Sequence, residues 1–129
     1  MTNTIRVDRI LITGSRRWSD AALITKILTE YANDYPDAVL VHGGALGADT
    51  IAGQVWGRLV GKDKVEIHRA EWGKYHSKAG PIRNGVMVDL GADICLAFPL
   101  KDSVGTFDCI RKAKKAGIPV HEFRPKEWS

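Results

Sequence analysis

Short apolar runs rich in β-branched residues, each closed by a turn residue and each alternating with a helical stripe, recur along this chain. "RILITG" closes on Gly14, "AVLVH" ends at His42, "KVEIHRA" alternates and reads as more peripheral, "ADICLAF" is almost unbroken, and "IPVHEF" comes last. Runs of this length are strands, and the near-continuous ones suit strands buried on both faces. Between them, Leu23, Ile24, Ile27, Leu28 and Tyr31 share one helical face, with Ser19 or Asp20 as the N-cap and "NDYPD" as the stop. Ile51, Ala52, Val55 and Leu59 make a second stripe that ends before Gly61. Pro81 fits the first turn of a third helix with Ile82, Val86 and Leu90 as its buried line, and a last helix runs from about Gly105 to Ala116 with Gly117 as its cap. Strands alternating with helices form right-handed βαβ units. The expected fold is therefore α/β, a Rossmann-like three-layer sandwich with a mainly parallel five-stranded sheet.

The 129 residues, 44% of them hydrophobic, suffice for one domain with its own core, and no linker or repeat divides residues 1–129. No apolar run approaches the roughly 20 residues that cross a bilayer, and "MTNTIRVDR" lacks the apolar centre of a secretory signal. A soluble, cytoplasmic protein with no membrane partner is expected. Cys95 falls in a buried strand and Cys109 inside a helix, without a CxxC pair or a Cys/His cluster, so both read as reduced core thiols. Neither a metal nor a cofactor is implied. The net charge of +4 suits a polyanionic partner but also many ordinary proteins.

Ligands of open parallel sheets bind beyond the carboxyl ends of the strands, and three unusual loops belong at that edge: "TGSRRWSD", "HGGALGAD" and "PLKDSVGT". In the second, His42 leads into Gly43, Gly44 and Gly47; in the third, Ser103, Gly105 and Thr106 open a helix. Small residues before a helix N-terminus let a phosphate sit against unpaired N–H groups. The competing reading gives the glycines to tight turns and close helix packing. Neither the dinucleotide GxGxxG pattern nor a Walker A sequence is present. Arg16 and Arg17 follow the first strand, where guanidinium groups pair with phosphate oxygens or line a solvated loop. Trp18 suits either stacking on a base or covering the core, and Asp49 suits a helix cap better than a catalyst. Arg83 and Asn84 fall in the first turn of the third helix, where arginine opposes the helix dipole unless an anion at the crevice compensates it. "EWGKYHSKAG" reads as a polar, aromatic loop; its Trp72, Tyr75 and His76 suit a lid folded over a bound base, although His76 reads more readily as an ordinary surface histidine.

Taken in order, "ITGSRRW", "VHGGALGAD", "AGPIRNGVM", "LAFP" and the "GT" before "KKAGIPV" resemble the YspA-type, YpsA-related branch of the SLOG superfamily. That group is similar to the Rossmann fold and includes DprA/Smf and the "lonely guy" phosphoribohydrolases. The resemblance implies a nucleotide-derived small-molecule ligand such as ADP-ribose, and a homo-oligomer. It places Gly14, Ser15, Arg16, Gly43, Gly44, Gly47, Asp49, Arg83, Asn84, Gly105 and Thr106 in the ligand site. The phosphoribohydrolase motif PGGxGTxxE is only half kept, because "LKDSVGTFDC" follows Pro99 and Cys109 stands at its glutamate. A thiol does not stabilise the sugar cation of glycosidic cleavage as a carboxylate does. The catalytic residues are therefore unknown, with Glu71, Asp102 and Asp108 as substitutes for a hydrolase. A sensor or sequestering module is the first expectation, a phosphoribohydrolase with a rearranged site the second. Nucleic-acid binding comes third, since "RKAKK" is the one dense basic cluster and reads more readily as a solvated helix face.

Overall fold

The structure is a computed structural model that describes residues 6–125. The opening of the chain read above for a signal lies partly outside this range. Strands β1 (Arg9–Gly14), β2 (Val39–His42), β3 (Val65–Ile67), β4 (Ile94–Phe98) and β5 (Val120–Glu122) form one sheet in the order β3-β2-β1-β4-β5. All its pairings are parallel. The helices are α1 (Ala21–Asp34), α2 (Ala48–Leu59), the single turn α3 (Trp72–Tyr75), α4 (Ala79–Asp89) and α5 (Val104–Lys115). The expected strands are all present, and β3 lies at an edge as its alternating sequence predicts.

Because side chains alternate along a strand, the central strands feed two cores. Ile10, Ile12, Leu40, Leu96 and Phe98 face α1 and α2, where they meet Ile24, Leu28, Val55 and Trp56. Leu11, Val41 and Cys95 face the other way, against Met87, Val88, Cys109 and Ala113 of α4 and α5. Both cysteines are buried, free thiols. Asp20 caps α1 by accepting from the Leu23 amide at 3.1 Å. Gly117, at φ +82°, closes α5 in a Schellman arrangement, in which the Ile118 and Gly117 amides donate to the Ala113 and Lys114 carbonyls.

Three expectations are corrected. On α2, Leu59 is 43% exposed and Trp56 is fully buried instead, its indole N–H donating to the Ala38 carbonyl at 3.0 Å. On α4, Ile82, Val86 and Leu90 do not form the buried line; they are 39%, 45% and 53% exposed. The helix is rotated because Asn84 is the residue turned inward, donating to the Gly105 carbonyl at 3.1 Å and to Asp108 at 3.0 Å. A polar side chain that must be satisfied when buried fixes the rotation ahead of an apolar stripe. Finally, "EWGKYHSKAG" is not a loop: it forms α3, a 3-10 turn at His76–Lys78, and the start of α4. Arg83 and Asn84 consequently stand beyond the first turn of α4, where the dipole argument loses its force.

A charged strap crosses the sheet from β1 to its edge. Arg9 donates to both Glu66 oxygens, at 3.2 and 2.7 Å, and His68 Nε2 lies 2.7 Å from the second. The Arg9 hydrogen bond, followed by that of His68, pulls the Glu66 carboxyl down from 4.5 to about 2. A depressed carboxylate contributes stability above its unfolded pKa and loses it as pH falls through the folded one. Glu66→Gln should therefore remove part of the acid-induced loss of stability between pH 4.5 and 2, read by urea unfolding at a series of pH values.

Candidate functional site

The sheet changes winding direction between β1 and β4, and this switch point opens at the carboxyl ends of the strands. Ser15, just past β1, ties its walls together. Its N–H donates to the Phe98 carbonyl at 3.0 Å, its carbonyl accepts from Trp18 and Ala48, and its Oγ accepts from the Arg17 amide. One residue thereby fixes the end of β4, the first loop and the first turn of α2.

The glycines answer first to this packing. Gly47 has φ +79°, and a Cβ there would stand 2.4 Å from the Ser15 carbonyl and 2.5 Å from that of Arg16. At Gly14 a Cβ would lie 2.4 Å from that of Ala48, so the backbone of the strand end packs directly on the Ala48 methyl at the helix start. Gly43 leaves a slot that the Arg83 guanidinium fills, with Nη1 donating to the Gly43 carbonyl at 2.7 Å. Arg83 also reaches Asn84 Oδ1 and, at 3.4 Å, the His68 carbonyl. Its nearest partners are thus carbonyls of the protein itself.

Asp49 does not cap α2. The N-cap position belongs to Gly47, and the Asp49 side chain turns back into the loop, where Oδ2 accepts from the Gly43 and Ala45 amides at 3.1 and 3.3 Å. Oδ1 is buried without a hydrogen-bond partner among the described residues. Burial pushes this carboxyl up to about 6, against the two amides and the Arg83 charge that favour ionisation. His42 is also buried, and its Nδ1 accepts from the Gly44 amide at 2.9 Å, so the ring is neutral with its proton on Nε2. Burial first, then Arg69, Arg83 and His68, lower it to about 4.

Across the crevice, Ser103 precedes α5, but its Oγ accepts from the Leu100 amide at 2.9 Å and braces the loop rather than the helix. Gly105 and Thr106 stand in the first turn of α5, where the helix's own ladder offers their N–H groups no acceptor. Arg17 and Asp102, both exposed, form an ion pair from the first loop to this one. Arg16 is exposed beside it. Gly14, Ser15, Arg17, His42, Gly43, Gly44, Gly47 and Asp49 are therefore joined by direct contacts, and Asn84 ties Gly105 to α4 from beneath.

Trp18 belongs to the core. It is 5% exposed, its ring edge meets Phe98 at 5.3 Å, and its indole N–H donates to the Asp20 carbonyl. Asp108 is engaged by Lys112 at 2.9 Å, by Asn84 and by Arg111; burial works to raise its carboxyl, and these partners outweigh burial and lower it. Burial raises the Cys109 thiol to about 11, against the hydrogen bond of Thr13, so it stays neutral at the place of the motif's glutamate. Sequence reading missed Thr13 and Arg69. Thr13 is the one uncharged polar side chain within "RILITG", and Arg69 follows β3 and donates to the Gly44 carbonyl at 3.3 Å. Among the described residues no group of three His, Cys, Asp or Glu side chains is placed to hold a metal ion, and no helix is long and apolar enough to cross a membrane.

A parallel sheet in this strand order, with glycine-bearing loops and two helix N-termini gathered at its switch point, defines a Rossmann-like α/β class. Within it the chain belongs to the YspA, cpYpsA-related SLOG family, whose sequence profile it matches over residues 8–75. It is 51% identical over 122 residues to the Gene 61 protein of Mycobacterium phage D29, an alignment covering 92% of this chain and 98% of that protein. Its fold is similar to DNA processing protein A of Helicobacter pylori, described for its single-stranded DNA binding mode, at TM-score 0.65 and 20% identity over 89% of this chain. It is also similar to DNA processing protein A (DprA) of Streptococcus pneumoniae, at TM-score 0.70 and 18% identity, again over 89% of this chain. The chain spans 64% and 50% of those two proteins.

Two outcomes follow from this geometry. The Asp49 carboxyl holds its proton more tightly folded than unfolded, so its contribution to stability falls as pH rises from about 4 to about 6. Asp49→Asn keeps an oxygen for both amides and removes the titration. Measured by urea unfolding, the stability of the variant relative to the parent should rise by about 2 kcal/mol between pH 4 and pH 7. Gly47→Ala should cost about 2 kcal/mol or more by the same measurement, through its backbone conformation and the carbonyls it would strike.

Proposed function

We propose that this protein binds a nucleotide-derived phosphorylated ligand, of the ADP-ribose kind, in the crevice between the loops after β1, β2 and β4, and acts as a sensor or sequestering module. Family membership suggests a nucleotide-related ligand. The observation that carries the reading is the unsatisfied first turn of α5 at Gly105 and Thr106, facing across the switch point from the Ser15 and Gly47 weld with Arg16 at the rim. Such amides and guanidinium groups suit phosphate oxygens.

The carboxylates considered for hydrolysis support binding over turnover. Asp102 is paired with Arg17, Asp108 is held by Lys112 and Asn84, and Cys109 is a neutral thiol. Nucleic-acid binding draws support from the DNA processing protein fold, but the basic run of α5 is partly neutralised: Arg111 and Lys112 pair with Asp108, and Lys114 with Glu122.

Titration calorimetry with AMP, ADP and ADP-ribose, together with chromatography of the mixture, tests this. Saturable ADP-ribose binding without released base or ribose phosphate is expected, and Arg16→Ala should weaken it about tenfold, or about 1.4 kcal/mol. Product release would establish the hydrolase, and salt-sensitive binding of single-stranded DNA in place of nucleotides would establish the third reading.

A further inference from the structure

A second cavity lies outside this crevice, between α2 and the edge strand β3, with a volume of about 560 Å³. One of its walls is a face of α2 on which two glycines stand among Thr50, Gln54 and Arg58. Gly53 and Gly57, one turn apart on α2, both line it. Gly53 has a packing reason, because a Cβ there would stand 2.5 Å from His42 Nε2. Gly57 has none: the nearest atom to its Cβ position is Lys62 Cγ at 3.7 Å. A glycine inside a helix destabilises it relative to alanine, so packing within the fold does not account for Gly57.

His42 supplies an independent observation. It is 4% exposed, its ring lines the cavity, and its Nδ1 is used by the Gly44 amide, which leaves the Nε2 proton without an acceptor among the described residues. That proton is available to a ligand acceptor that enters the cavity beside Gly53. The cavity's charged lining residues are all cations. Arg58 and Lys62, near the C-terminal end of α2, have no ion-pair partner among the described residues, and Arg69 at the other end meets only the Gly44 carbonyl. Val65 and Ile67 give the opposite wall an apolar surface. Cation, flat apolar wall, glycine face and a lone donor together match a ligand with an anionic head and a planar, acceptor-bearing body.

We propose that this groove is a second ligand site, adjoining the crevice through His42 and Gly44, for a phosphate monoester of a planar heterocycle. The phosphate pairs with Arg58 and Lys62, the ring lies between Gly57 and the Val65–Ile67 wall, and a ring acceptor takes the His42 Nε2 proton near Arg69.

Nuclear magnetic resonance of the full-length, ¹⁵N-labelled chain titrated with AMP tests it, with inorganic phosphate and adenosine as the two halves. AMP should shift the amides of Gly53, Gly57 and Ile67 and the Nε2 signal of His42, and each half alone should bind at least tenfold more weakly. Gly57→Leu, which fills the groove from an uncrowded position, should abolish these shifts. The double variant Arg58→Ala, Lys62→Ala, on exposed side chains, should weaken AMP at least tenfold and serves where Gly57→Leu fails to fold. The crevice is read separately through Gly105 and Thr106 with ADP-ribose, so a silent crevice and a silent groove are distinguishable. Groove amides that do not move with AMP, that move equally in Gly57→Leu or in the double variant, or that respond to inorganic phosphate as strongly as to AMP, would overturn the proposal.

Discussion

The arrangement depends on the backbone of Ser15. Its N–H and carbonyl, with its hydroxyl, hold β4, the loop after β1 and the start of α2 in a single hydrogen-bonded knot. Gly14 and Gly47 lie on either side of it because nothing larger than hydrogen fits where the two backbones meet. A switch point is a gap by construction, since neighbouring strands send their chains in opposite directions. Here the gap is narrowed by direct backbone contact, and the residues around it are positioned by main-chain geometry more than by side-chain packing.

Electrostatics around the knot are set by desolvation. Asp49 and His42 are both buried at the carboxyl edge of β2, and for both burial is the leading influence, favouring the neutral form. Each uses one side-chain atom to accept amides of the glycine loop, so the loop is held by groups whose remaining polar atoms have no partner among the described residues. Arg83, drawn into the slot at Gly43, keeps a positive charge next to both. Near neutral pH His42 is thus uncharged, while Asp49 ionises above about pH 6 beside the Arg83 charge.

Much of this was legible in the residues. The strands, their parallel arrangement and the convergence of the three loops follow from apolar runs closed by glycine and from the alternation of periods. The rotation of α4 was not legible, because Ile82, Val86 and Leu90 make a good apolar stripe and the deciding contact, Asn84 to Gly105, spans 21 residues of sequence. Trp56 was missed for a similar reason: its partner, the Ala38 carbonyl, is 18 residues away. Asp49 was placed at the right helix end but given the wrong task, since local spacing identifies a cap without saying which way its side chain turns. The glycines were read as room for a ligand or for packing, and the structure fills Gly14, Gly43 and Gly47 with the protein's own atoms.

The ion pair between Arg17 and Asp102 spans two loops while both partners remain largely in water. Exposed pairs of this kind contribute little to stability and weaken with salt. It behaves as a latch without a spring: it orders two loop tips in relation to one another, yet an anion competing for Arg17 meets almost no resistance. The rigid parts of the site lie beneath, in the backbone, and the rim above them is free to exchange partners on the scale of thermal energy.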